Sequence, residues 1–375
     1  MSVQLDEHRQ LLADRMRVDA LSRAIAAIVA PGDVVLDAAS GTGILGLLAC
    51  RAGASRVYSI EQSGIIEVAR ELARVNGFAA RMHFVMAHSS WAAIPEDVDV
   101  IVCDQIGHFG FEAGIVEMIA DLRSRFLRPG GRIMPAAVTL HVAPIEVPEL
   151  RDDLKCWTTP LTGLDLSPAH NIAVNSGHPV SLSAAALLGP GAPACVIDLA
   201  TVADGPMSFT ATLMAVRSGI LDGIGGWFVA DLGAGVTMTN APGEPDRIDR
   251  RNVVFPIDPP VDVCEGDNVT VSMRIRPSDL LVHWVVTTRD GEYRSSHSTL
   301  LGMLLTREEL RRTNPHFVPS LTPRGEARKT VLALCDGART LDYIEREVFA
   351  RHRPLFRDYN EAQVFVAEVV TRYSN

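Results

Sequence analysis

The stretch from Val34 to Glu61, VVLDAASGTGILGLLACRAGASRVYSIE, constrains the chain more than any other. Val34-Val35-Leu36 is a short apolar run that ends at Asp37 and a turn of small residues, Ala38-Ala39-Ser40-Gly41-Thr42-Gly43. Ile44 to Ala52 is apolar at helix-compatible spacing, and Val57-Tyr58-Ser59-Ile60 is a second strand ending in Glu61. Strand, glycine turn, helix, strand and acid make one βαβ unit, the building block of a doubly wound α/β sheet. Glycines in the turn permit positive φ and let a ligand approach the backbone, while the helix start offers free N–H donors.

Three readings of this turn are open. Gly41, Gly43 and Gly46 spell G-x-G-x-x-G, and Glu61 follows about 20 residues on, where a dinucleotide site places the acid that holds a ribose hydroxyl. That reading makes the chain an oxidoreductase. Asp37 favours a different ligand. A carboxylate beside the turn opposes a pyrophosphate but suits the ammonium of S-adenosylmethionine, which carries no phosphate. The third reading is a βαβ unit that binds nothing.

With 375 residues, 47% hydrophobic and 21% charged, the chain has the composition of a soluble globular protein with room for two or three domains. Its net charge of −10 argues against general binding to nucleic acid or anionic membranes. Six scattered cysteines without C-x-x-C predict reduced thiols, a cytoplasmic location and no zinc site. The charged N-terminus is no signal peptide, and no apolar run approaches the ~20 residues of a membrane span.

Leu5 to Ala30 reads as one helix ended by Pro31-Gly32, with His8, Asp14 and Arg17 on its polar face. Taken alone, those three are a solvated flank. Ile65 to Asn76 is a helix, Met82 to Met86 a strand, and His88-Ser89-Ser90 a polar loop. Val98 to Cys103 is apolar enough for the sheet centre and delivers Asp104 at its carboxyl end, where open α/β sheets place their ligand crevice. Glu112 lies in the following loop, before a helix from Ile115 to Leu127 and a strand at Arg132-Ile133-Met134. From Pro135 short alternating runs take over, with a hairpin turn at Arg289-Asp290-Gly291, and predict an antiparallel barrel or sandwich. Asp152 to Pro179 interrupts them as an excursion suited to self-association, and helical patterns return from about Pro315. The expected division is 1–134, 135–305 and 306–375.

In this order the pieces resemble the protein arginine methyltransferases over roughly the first 300 residues. His8-Arg9-Gln10-Leu11-Leu12-Ala13-Asp14-Arg15-Met16-Arg17 fits the family's H-x-x-M-L-x-D-x-x-R signature, and Val35 to Leu45 fits its donor motif, with Ala39 in place of the first glycine. The resemblance implies that S-adenosylmethionine is held by Arg17 at its carboxylate, with His8 and Asp14 beside it. Asp37, Ala39, Gly41 and Gly43 would form the turn, Glu61 would take the ribose, and Ser89 and Ser90 the adenine edge; Ser90 stands where the family commonly has Glu.

On the acceptor side the chain departs from the family. The family's two glutamates correspond to Asp104 and Glu112 on a loop one residue shorter, and its T-H-W loop is replaced by Ile248-Asp249-Arg250-Arg251. Asp104 and Glu112 are the candidate catalytic acids. They can equally be a strand-end acid and a helix N-terminal charge. Arg250 and Arg251 either pair with Asp14 or Asp249 or hold an anionic acceptor, whereas His283-Trp284 falls in a later barrel strand. The segment after Pro319 weakly resembles winged-helix domains that clasp leader peptides by strand addition. The reading is an S-adenosylmethionine-dependent methyltransferase, metal-free and homodimeric, acting on a peptide or protein. The acceptor is a guanidino nitrogen or a carboxylate oxygen, for instance of a ribosomal peptide precursor. An oxidoreductase and a non-catalytic scaffold on the same fold remain the alternatives.

Overall fold

The computed structural model describes residues 3–288 and 291–374, so the expected turn residues Arg289 and Asp290 lie outside it. The first helical stretch is two helices rather than the single one expected: α1 (Val3–Ala13) and α2 (Arg15–Ile28). Asp14 causes the break. Its backbone is extended (φ −72°, ψ 95°), and its Oδ1 accepts from the Arg17 N–H at 3.1 Å, which makes it the N-cap of α2. Periodicity continues across a cap of this kind, so the apolar stripe of α2 (Ala20, Leu21, Ala24, Ile25) hid the interruption.

The βαβ unit follows as β1 (Val34–Ala38), α3 (Ile44–Ala52) and β2 (Arg56–Glu61). It extends through α4 (Ile66–Val75), β3 (Met82–Met86), β4 (Val98–Cys103), α5 (Ile115–Phe126) and β5 (Leu127–Met134). The five strands are parallel in the order β3-β2-β1-β4-β5. Every residue of β4 is buried, including Asp99, whose Oδ2 accepts from the Val34 N–H at 2.6 Å. The chain winds outward from β1 to β3 and then returns to the other side of β1. The switch point therefore lies between β1 and β4, and the residues after both strands meet there.

The antiparallel part starts with β6 (Ala137–Ile145), followed by α6 (Pro148–Lys155), α7 (Ser167–Val174) and the short β7 (His178–Val180). The remaining strands are β8 (Ala192–Asp198), β9 (Met207–Met214), β10 (Gly219–Gly233), β11 (Val236–Thr239), β12 (Asn252–Val263), β13 (Asn268–Arg276), β14 (Leu281–Thr288) and β15 (Tyr293–Ser298). One sheet runs β7-β12-β10-β6-β8 with β11 on β10, and the other β15-β14-β13-β9; β8 adjoins β9 and β12 adjoins β15. Trp284 is fully buried between them, donating its indole N–H to the Pro256 carbonyl at 2.8 Å, while its neighbour His283 points the other way toward Ser296. That alternation is what period-two side chains on a half-buried strand require.

The chain separates into two compact units, Met1–Met303 and Leu304–Asn375. The second holds α8 (Arg307–Arg312), α9 (Pro323–Leu334), α10 (Leu341–Arg351) and α11 (Tyr359–Tyr373) around Val331, Ile344, Val348 and Phe365. Among its described residues there is no strand. A helical domain is therefore present, but the wing and the sheet edge that strand addition needs are not seen.

Candidate active site

The turn after β1 is held by backbone geometry that the small residues make possible. Ala39 and Gly41 both sit at φ 52°, and Gly43 at φ 74° caps α3. A Cβ on Gly41 would fall on the His8 imidazole, so glycine there is what lets α1 lie across the turn. Glu61 ends β2 with Oε2 accepting from the Gly41 N–H at 3.1 Å and Oε1 from the Ser63 N–H at 2.9 Å. His8, Ala39, Glu61, Ser89, Ser90 and Glu112 line one open cleft of about 1030 Å³ along the carboxyl ends of the strands.

Three of the expected turn residues lie elsewhere, Gly41 among them, which lines the smaller recess beside Arg17. Gly43 faces Ala69 on α4, and Asp37 is fully buried beneath the turn, where neither lines this cleft. Asp37 Oδ2 accepts from the Gly46 N–H at 2.9 Å and Oδ1 has no partner. Burial pushes its carboxyl up to about 7; the Glu61 charge adds to the rise and the Gly46 bond opposes it.

Arg17 and Asp104, expected to serve the donor carboxylate and the acceptor respectively, are brought into direct contact. Both side chains are only 7% exposed, and the Arg17 Nε and Nη2 groups both donate to Asp104 Oδ2, the former at 2.7 Å. Arg17 Nη1 donates to the Leu11 carbonyl at 2.9 Å. Asp104 Oδ1 is buried and unpartnered. Glu112 is locked to its own loop, Oε1 accepting from the Phe109 N–H at 2.6 Å and Oε2 from the Phe111 N–H at 3.2 Å. Its carboxylate packs against Gly107, where a Cβ would overlap it.

Both Asp14 carboxylate oxygens are engaged with backbone. Besides capping α2, its Oδ2 accepts from the Asp249 N–H at 2.7 Å and so ties the helix junction to the loop before β12. Arg250 of that loop reaches inward to donate to the Ile106 carbonyl. Burial lowers its guanidinium's pKa, against the pull of the nearby Asp104, Glu112 and Asp14 charges. Arg251 is exposed; its carbonyl is what the structure uses, accepting from Asn240 Nδ2 at 2.8 Å.

Asn240 escaped sequence reasoning. It is fully buried; Nδ2 also donates to the His108 carbonyl at 2.8 Å, and Oδ1 accepts from the Phe228 N–H at 3.0 Å. Asn252 bonds the Asn240 carbonyl at 2.7 Å. These asparagines fasten the acid-bearing loop to the barrel. No spacing rule marks them, because their partners lie 11 to 132 positions away and are brought near only by the fold.

A five-stranded parallel sheet with a glycine turn, an acid closing β2 and a helix folded over the turn defines a class I S-adenosylmethionine-dependent methyltransferase. Residues 17–138 match the family model described as ribosomal protein L11 methyltransferase (PrmA). An arginine N(omega)-methyltransferase from Streptomyces achromogenes subsp. streptozoticus is 30% identical over 282 residues, covering 72% of this chain and 76% of that one. Protein arginine N-methyltransferase PRMT10 of Oryza sativa subsp. japonica is 28% identical over 304 residues, covering 72% and 80%. In structure the chain is similar to the Trypanosoma brucei PRMT1 enzyme-prozyme heterotetrameric complex with AdoHcy, at TM-score 0.70 and 21% identity over 78% of this chain and 97% of that one. The chain belongs to the arginine N-methyltransferase family. None of these relatives is an oxidoreductase, and the methyl donor is S-adenosylmethionine. Among the described residues no helix is long and apolar enough to cross a membrane.

Proposed function

We propose that the enzyme transfers a methyl group to a guanidino nitrogen of an arginine-bearing peptide or protein. The observation that carries this reading is the buried, unpartnered Oδ1 of Asp104, a few residues before the loop-locked carboxylate of Glu112. A guanidinium has N–H donors to give such oxygens; a carboxylate acceptor would bring a third negative charge to two acids. The contact between Arg17 and Asp104 Oδ2 supports the same view, since this aspartate already pairs with one guanidinium and keeps an oxygen for another.

The cleft residues fit the donor by their own chemistry. Glu61, held by two backbone N–H groups, keeps lone pairs for ribose hydroxyls, and Ala39 and Gly41 present bare backbone. His8 covers the turn, and Arg17 lies where the smaller recess behind it meets Asp104 and Gln105. The donor supplies an already activated methyl. The protein's task is then alignment and exclusion of water. Asp104 and Glu112 orient the acceptor, and Arg250 fastens the loop before β12 to the Ile106 carbonyl. Homodimerisation through the excursion of α6 and α7, where Leu161 and Leu164 are exposed, completes the reading.

Mass spectrometry after incubation with donor tests it. Arginine peptides should gain methyl groups, arginine-free peptides with free carboxylates should not, and Asp104→Asn and Glu112→Gln should each lower kcat. Base-labile methylation of carboxyl peptides with none on guanidines would overturn the nitrogen assignment.

A further inference from the structure

Glu117, on the first turn of α5, is a charged group for which the fold provides no partner. Both carboxylate oxygens are withdrawn from solvent and neither accepts a hydrogen bond. A first-turn acid commonly answers the helix dipole by accepting from exposed backbone N–H groups, and Glu117 does not. Nor does a neighbouring cation serve it. Arg125, on the same helix, is spent on Asp121 and on the carbonyls of Ser89 and Ala92, the latter at 2.8 Å. A buried carboxylate without a donor is costly, and this one lines the donor cleft together with Met118, Ser89 and Ser90.

Glu61 marks the ribose position of the cleft, because the acid closing β2 takes sugar hydroxyls in such sheets. Ala87, Ser90, Glu117 and Met118 line the same cleft, which also has to take the base attached to that sugar. Ser89 and Ser90, which line the same cleft, carry no charge with which to recognise an amine. Ser90 Oγ is already engaged with His88 Nδ1 at 2.7 Å.

We propose that Glu117 accepts a hydrogen bond from the exocyclic amine of the donor's adenine and thereby makes the site select a 6-amino over a 6-oxo purine. The inference rests on the methyl-donor reading of the cleft and adds the residue that chooses the base. An oxo group offers only lone pairs to Glu117 and would be repelled; an amine gives the missing donor.

Calorimetric binding of S-adenosylhomocysteine and S-inosylhomocysteine to the full chain tests this without turnover. The native protein should prefer the adenosyl compound by roughly 10- to 100-fold, the worth of one hydrogen bond to a charged group. Glu117→Ala should remove most of that preference by weakening the adenosyl compound alone. Glu117→Gln, which keeps the shape and can donate to an oxo group, should strengthen the inosyl compound. Equal weakening of both ligands by Glu117→Ala, or unchanged discrimination, would show a merely structural residue and sink the proposal. If the native protein bound neither compound, the donor-site reading itself would fail and this proposal with it.

Discussion

The contact between Arg17 and Asp104 joins the N-terminal helices to the end of β4, and its removal has a calculable consequence. Both side chains are 7% exposed, so neither charge is relieved by water. Arg17→Met leaves Asp104 without its hydrogen-bonded counter-ion, and breaking one side of a buried pair costs roughly 3–5 kcal/mol. Near 2 °C per kcal/mol for a unit of this size, the transition of residues 1–303 should fall by roughly 6–10 °C. Asp104→Asn strands the guanidinium instead and should also destabilise strongly. Combining the two removes both charges, so the double variant should lose less than the sum, with a coupling above ~1 kcal/mol. The Arg17 bond to the Leu11 carbonyl disappears in both Arg17→Met backgrounds and cancels from the cycle. Thermal unfolding of the four proteins by circular dichroism provides the measurement. Additivity within ~0.5 kcal/mol, with each single change costing under ~1 kcal/mol, is the behaviour of an exposed pair and would refute the argument.

Three further outcomes are expected. Because burial raises the Asp37 carboxyl to about 7 in the folded protein, its contribution to stability is full below the unfolded value near 4 and is lost as pH rises through about 7. Asp37→Asn should therefore flatten the decline of Tm across roughly pH 4–7; a difference from the native protein that stays constant across that window would count against it. Gly41→Ala forces a side chain onto His8 at φ 52° and should weaken S-adenosylhomocysteine binding about tenfold by calorimetry; pairing it with His8→Ala should recover part of the loss. Sedimentation should show a dimer that Leu161→Asp with Leu164→Asp shifts toward monomer, since both residues lie exposed between α6 and α7.

The parallel sheet, its turn and the acid at the end of β2 were readable in the chain because each depends on neighbours a few positions apart. Val34 to Glu61 carries its strand period, its glycines and its helix spacing in one short run, and β4 is legible from apolarity alone. The alternation of β13 and β14 likewise shows where a sheet has one buried face. The break at Asp14 was hidden because a capping residue leaves the apolar stripe uninterrupted.

What residues do to one another across the fold was not readable. The family resemblance singled out Arg17 and strand position singled out Asp104, but their pairing depends on where α1 and α2 lie against β4. The same holds for Asp14 gripping the loop at Asp249, for Asn240 fastening the acid loop, and for the unpartnered carboxylate of Glu117. The chain by itself determined the βαβ core, the donor turn and the acids available to a site, through short-range period and backbone permission. Tertiary structure decided which charges neutralise each other and which stay open for a ligand, because charge, burial and hydrogen bonding act across space between residues far apart in sequence.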